Sequence, residues 1–172
     1  MKLAVLGTGL LGSEIAFRLM DRLFEVTAWN RTGVLAAALA TLGFPSSAGA
    51  AEACAGADAV LLLLADAEAI RATLFSKDAE AALDGRVIIQ MGTISPTESR
   101  AIGRAVQRAG GEYLEAPVLG SLPEARTGRL IVMAGGELAL YERCLPIFEA
   151  LSESPQRVGE VGQGAAMKLA MN

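Results

Sequence analysis

Six residues near the N-terminus carry the clearest chemistry in this chain: Gly7-Thr8-Gly9-Leu10-Leu11-Gly12. Three glycines at this spacing suit a turn that brings bare backbone up to an anion. Gly7 permits the tight turn, Gly9 has no side chain to block the approach, and Gly12 lets a helix pack close to a strand. Free N–H groups and the positive dipole end at the helix start then favour negative charge. These six residues are the expected cradle for a pyrophosphate. The pattern alone is weak evidence; its place between a strand and a helix gives it weight.

A second group lies at Asn30-Arg31-Thr32. Dinucleotide sites commonly place Asp or Glu at the end of the second strand, where it accepts hydrogen bonds from the ribose 2′-OH. Here that acid is missing. A guanidinium at Arg31 suits a 2′-phosphate, and Thr32 offers another donor. The expected ligand is therefore NADP(H) rather than NAD(H).

Both groups need strands and helices to position them. Lys2–Leu6 is a short apolar run before the glycine turn. Leu11, Ile15 and Leu19 then repeat every four residues, which predicts a helix over Leu10–Arg22. Strands are expected at Phe24–Trp29, Asp58–Leu64, Arg86–Gln90, Tyr113–Ala116 and Arg129–Ala134. Helices are expected at Gly33–Leu42, Ala50–Ala55, Ala67–Phe75 and Glu137–Leu151. A further helix starts at Ser95-Pro96-Thr97-Glu98, a capping box with proline at the first helical position, and ends near Ala109. A last helix begins near Gln163, after a glycine-rich turn flanked by Val158 and Val161. Strands alternating with helices imply an α/β fold, a Rossmann-type doubly wound and mostly parallel sheet with helices on both faces.

Composition narrows the function. The 172 residues are 52% hydrophobic and 20% charged, enough for one domain with a real core. A net charge of −4 argues against a nucleic-acid partner. No apolar run is long enough to span a bilayer, so no membrane association is expected. The two cysteines, Cys54 and Cys144, lie far apart, and a cytoplasmic location with free thiols is the expectation. The chain has no histidine, which removes His-based triads and His metal sites. No metal is expected, and acid–base work falls to Lys, Asp, Glu, Tyr or Cys.

Three further motifs join the first two: Gly92-Thr93-Ile94-Ser95-Pro96, then Glu115-Ala116-Pro117-Val118-Leu119-Gly120-Ser121, then Gly159-x-x-Gly162-x-Gly164-x-x-x-Lys168-x-x-x-Asn172. Together they resemble the β-hydroxyacid dehydrogenase family, which includes 3-hydroxyisobutyrate dehydrogenases and glyoxylate/succinic semialdehyde reductases. The stretch from Glu115 to Gly136 is most similar to the latter group. The resemblance implies an NADPH-dependent reductase or dehydrogenase of small 2- or 3-hydroxy acids and the corresponding aldehyde acids. It makes Lys168 the catalytic lysine and Asn172, four residues on, its companion in holding substrate. It places Leu64, Ala65 and Thr93 beside the cofactor, and Val118, Leu119, Gly120 and Ser121 around the substrate carboxylate.

The same resemblance assigns residues 1–162 to an NADP-binding domain and 163–172 to the start of an interdomain helix. A C-terminal helical domain would be missing, so this chain is expected to bind cofactor with little or no turnover. The full-length form is expected to be a homodimer or homotetramer. Three positions depart from the family: Leu119 and Gly92 stand where Ser is usual, and Ala65 where Pro is usual. Leu119 removes one carboxylate donor, for which Ser121 could partly compensate. It leaves open an imine reductase-like NADPH oxidoreductase, although Lys168 argues against that. A 6-phosphogluconate dehydrogenase activity is disfavoured by the lack of basic groups around the substrate loop. The other alternative is a non-catalytic NADP-binding or assembly module.

Overall fold

The computed structural model describes residues 1–32, 40–41 and 43–172. The helix expected over Gly33–Leu42 lies almost entirely outside the described residues. The first half of the chain runs β1 (Lys2–Leu6), α1 (Leu10–Asp21), β2 (Glu25–Trp29), α2 (Ala50–Ala55), β3 (Ala59–Leu62), α3 (Ala67–Leu74) and α4 (Lys77–Ala81). It continues with β4 (Val87–Gln90), α5 (Pro96–Arg108), β5 (Glu112–Glu115), β6 (Val118–Leu119) and α6 (Leu122–Thr127). The last elements are β7 (Ile131–Gly135), α7 (Leu138–Leu151), β8 (Gln156–Gly159) and α8 (Gln163–Met171).

The strands form a sheet in the order β2-β1-β3-β4-β5-β7-β6, with β8 beside β7. β1 to β5 are mutually parallel, as the alternation of elements demands. Side chains alternate across the sheet and feed two cores. Leu3, Val5, Leu61 and Ile89 face α1 and α7, packing with Ile15, Leu19, Ile147 and Phe148. Ala4, Leu6, Val60, Leu62 and Ile88 face the opposite layer, with Ile70, Leu74, Ile102 and Val106. Burial on both faces explains why β3 and β4 are unbroken apolar runs in sequence.

β7 departs from the parallel pattern. It runs antiparallel to both β5 and β6, pairing Gly135 with Glu115 and Val132 with Val118. The pairing sum stays constant from Glu115 to Leu119, so β5 and β6 are one line interrupted at Ala116-Pro117. Pro117 has no N–H to give the ladder, yet its carbonyl accepts from Met133 N at 3.0 Å. Four elements escaped the sequence patterns: α4, β6, α6 and β8. All are short. The start of α6 nonetheless carries the same signature as α5, with Ser121 and Glu124 three apart and proline within the first turn.

Among the described residues no helix is long and apolar enough to cross a membrane. Both cysteines are free and buried. Burial pushes each thiol up to about 11, so at pH 8 both are neutral and shielded. A thiol reagent at pH 8 should label neither until denaturant is added; fast labelling of the native chain would contradict this core. Leu61, fully buried in the central strand, sets the core's contribution. Leu61→Ala should lower stability to urea by about 3 kcal/mol.

Candidate functional site

The C-terminal ends of β1, β3, β4 and β5 converge on one side of the sheet, where ligands bind in open parallel folds. The glycine turn forms the floor. Gly7 has φ +100°, and a Cβ on it would sit 2.4 Å from the Leu63 carbonyl oxygen. A Cβ at Gly12 would sit 1.9 Å from the Gly7 oxygen. Gly7 and Gly12 are therefore required by packing within the chain. Gly9 differs: a Cβ there would meet nothing within 4 Å. Its missing side chain leaves open space above the backbone, and it caps α1 without any side-chain hydrogen bond to the helix N–H groups. That combination fits an anion approaching the helix end.

Two cavities meet over this floor, sharing Gly9, Leu63 and Leu64. The first, about 170 Å³, reaches to Asn30, Arg31 and Thr32 at the end of β2 and to Ala65, Ala69 and Thr73. The Asn30 carboxamide oxygen accepts from Thr32 N at 3.0 Å and Thr32 Oγ1 at 3.1 Å. The Thr32 hydroxyl is thus committed to shaping the loop, and Arg31 is the free donor at this end. Arg31 is exposed and forms no ion pair among the described residues.

The second cavity, about 380 Å³, is lined by Leu10, Leu11, Gly12, Met91, Gly92, Thr93, Val118, Gly120 and Lys168. Lys168 is only 9% exposed, and its ammonium has no hydrogen bond or ion pair among the described residues. Its side chain is packed along the cavity wall and opens onto the cavity that Thr93 and Gly120 also line. Thr93 is held in place through its neighbour. Gln90 closes a ring on Gly92, donating to its oxygen at 2.9 Å and accepting from its nitrogen at 2.5 Å. A Cβ at position 92 would lie 2.9 Å from the Leu64 carbonyl oxygen, which accounts for glycine where Ser is usual.

Four of the residues expected at the site line neither cavity. Thr8 is buried beneath the turn, its hydroxyl unpartnered. Leu119 is half-buried on β6. Ser121 donates from both N and Oγ to the Glu124 carboxylate, at 2.8 and 2.7 Å, as the start of α6. Its hydroxyl is spent there, not in place of the missing Ser at 119. Asn172 is exposed at the end of α8. Five lining residues had not been expected: Leu63, Ala69, Thr73, Met91 and Gly92. α6 itself is tied to α1 by a two-pronged ion pair, Arg126 to Glu14, at 2.6 and 2.8 Å. The Arg126 hydrogen bond holds the Glu14 carboxyl below the usual carboxylate range.

One residue with no expected role organises the far wall. Glu115, 1% exposed, ends β5 with its carboxylate at the N-terminus of α8. Its Oε1 accepts from Gly162, Gly164 and Ala165 N at 2.7, 2.8 and 3.2 Å. Its Oε2 accepts from Ser99 Oγ. Since that hydroxyl proton points at Glu115, the Tyr113 hydroxyl, 3.0 Å away, donates to Ser99. Burial pushes the Tyr113 phenol up, and the nearby Glu115 charge adds to this. The signal in sequence was a carboxylate set between the apolar Leu114 and Ala116 late in the strand.

A parallel sheet, a bare helix end over its carboxyl edge and a two-part cleft define a dinucleotide-binding domain. The chain belongs to the family described as the NAD binding domain of 6-phosphogluconate dehydrogenase, whose model matches residues 2–162. It is 33% identical over 174 residues to glyoxylate/succinic semialdehyde reductase 1 of Arabidopsis thaliana, covering 100% of this chain and 60% of that one. Among solved structures it is similar to the 3-hydroxyisobutyrate dehydrogenase of Mycobacterium tuberculosis, with TM-score 0.92 and 28% identity over 99% of this chain and 58% of that one. It is likewise similar to a Streptomyces aurantiacus imine reductase, with TM-score 0.92 and 31% identity over 99% and 60%. The chain spans about 60% of the length of these relatives.

The contrast between the glycines gives a direct test. Gly9→Ala should leave the melting temperature unchanged yet weaken dinucleotide binding by about tenfold or more, roughly 1.4 kcal/mol. Trp29, the only tryptophan, sits beside Asn30 and can report binding by fluorescence quenching. Unchanged affinity in a folded Gly9→Ala chain would place the anion elsewhere.

Proposed function

We propose that this chain forms the cofactor-binding part of an NADP(H)-dependent oxidoreductase acting on small 2- or 3-hydroxy acids and the corresponding aldehyde acids, of the glyoxylate or succinic semialdehyde type. The observation that carries it is the continuity of the cleft. One opening joins the bare N-terminus of α1 to the buried, unpartnered Lys168.

In this reading the Leu10 and Leu11 N–H groups donate to the pyrophosphate, and Arg31 pairs with the ribose 2′-phosphate. Leu64, Ala65 and Thr93 flank the nicotinamide end. When bound, the cofactor supplies the hydride that reaches the carbonyl carbon. Lys168 Nζ gives a proton to the carbonyl oxygen, so carbonyl becomes alcohol; in the reverse direction the neutral amine takes the hydroxyl proton. Val118 and Gly120 stand closest to the place a substrate carboxylate would occupy. Asn172, Leu119 and Ser121 have substrate roles by the family resemblance alone, since none of them lines either cavity. A second reading, reduction of a cyclic imine, is favoured by Leu119, which offers no hydroxyl where Ser is usual, and by the imine reductase likeness.

Two measurements test the proposal. Titrations followed by Trp29 fluorescence should show NADPH binding about tenfold more tightly than NADH, with Arg31→Ala removing most of the difference. Tighter binding of NADH would defeat the 2′-phosphate argument. In the full-length form, NADPH consumption with glyoxylate, succinic semialdehyde and a cyclic imine should favour the aldehyde acids. Lys168→Ala should lower that rate by roughly a hundredfold or more; a rate that survives the substitution would remove Lys168 from the chemistry.

A further inference from the structure

The proton donor stands on a short helix whose only buried face is Gly164, Ala165 and Lys168. Its other side, with Met167, Leu169 and Met171, is exposed. Nine residues make a helix too short to hold itself in water. Something must fix its N-terminal turn if Lys168 is to stay over the cleft.

We propose that Glu115 is the positioning residue of this site: its buried carboxylate gathers the first N–H groups of α8 and thereby sets Lys168 over the cavity. The proposal rests on the reading of Lys168 as proton donor. Three backbone donors on one carboxylate oxygen, placed at the positive end of a helix, are charge-assisted bonds. Lys168 follows the bonded Gly164 N–H by four residues, one turn along the same face. The strand that carries Glu115 is followed, across Ala116-Pro117, by Val118 on β6 and then Gly120, which line the same cavity. One side chain therefore joins the helix of the proton donor to the loop facing it.

The glycines around this carboxylate are explained by the same contact. A Cβ at Gly135 would lie 2.5 Å from Glu115 Oε1. At Gly164 it would lie 2.4 Å from the Met133 oxygen and 3.2 Å from Glu115 Oε1. Gly162, with φ +101°, turns its N–H inward in a conformation other residues rarely adopt. The spacing Gly162-x-Gly164 is thus a cradle for a protein carboxylate, in contrast to Gly7-x-Gly9-x-x-Gly12, whose central glycine faces open space. Ser99 and Tyr113 complete the support from below, orienting the second oxygen.

The chain has three lysines, which makes the test simple. Lys2 and Lys77 are exposed and Lys168 is buried, so acetylation followed by peptide mass spectrometry reports all three at once. In the unmodified sequence Lys168 should react most slowly. Glu115→Gln keeps an acceptor oxygen but loses the charge, and Glu115→Ala loses both. Lys168 acetylation should rise by about threefold in the first and about tenfold or more in the second, as the helix end opens locally. Lys2, Lys77 and NADPH affinity should stay within about twofold, because the glycine turn is untouched. Ser99→Ala, which removes one support without altering Glu115, should give a smaller rise and covers the case in which Glu115→Ala does not fold. In the full-length form the turnover number should fall in the same order with the KM for NADPH unchanged. Unaltered Lys168 acetylation in both Glu115→Gln and Ser99→Ala would overturn the proposal. Activity that survives Lys168→Ala, with acetylation still following Glu115, would instead defeat the assignment of the proton donor.

Discussion

The backbone of α1 comes so close to the end of β1 that a methyl group at position 12 would sit 1.9 Å from the Gly7 carbonyl oxygen. Everything on the ligand side of the sheet depends on that approach. It brings the uncapped helix end over the carboxyl edge of the strands. It also lets Leu63, at the end of β3, pass beneath Gly7 and divide the cleft into its two cavities. A larger residue at either glycine would lift the helix and move its N–H groups away from both.

The attraction for a negatively charged ligand is local. The chain as a whole is acidic, at −4, so long-range steering works against an anion. The positive groups lie within the cleft: oriented peptide N–H groups at one point, Arg31 at one end and Lys168 at the other. Two helix N-termini are handled in opposite ways. That of α1 is left bare toward the cleft, whereas that of α8 is satisfied internally by Glu115. The first is therefore available to a ligand, and the second is fixed as part of the frame.

Much of this was legible in the sequence because the relevant signals are local. The strand, glycine turn and first helix are contiguous, and the apolar runs of β3 and β4 announce burial on both faces. The capping box at Ser95 marks the start of α5, where the Ser95 hydroxyl accepts from the Glu98 N–H. What stayed hidden is set by distant contacts. The direction of β7 is not encoded in its apolar pattern, since parallel and antiparallel strands share one periodicity. The backbone partners of Glu115 on α8 lie about fifty residues away along the chain, so its role emerges only when β5 meets α8. Ser121 shows the converse: the family resemblance places it near the substrate, while Glu124, three residues on, marks it as a helix start, which the structure bears out.

The most direct test of the account is a crystal structure of this chain with NADPH. The pyrophosphate should accept from the Leu10 and Leu11 N–H groups above Gly9, with the 2′-phosphate against Arg31. The nicotinamide should lie between Thr93 and Lys168. A nicotinamide outside that cavity, or a Lys168 side chain turned away from it, would contradict the central claim that one cleft joins the glycine turn to Lys168.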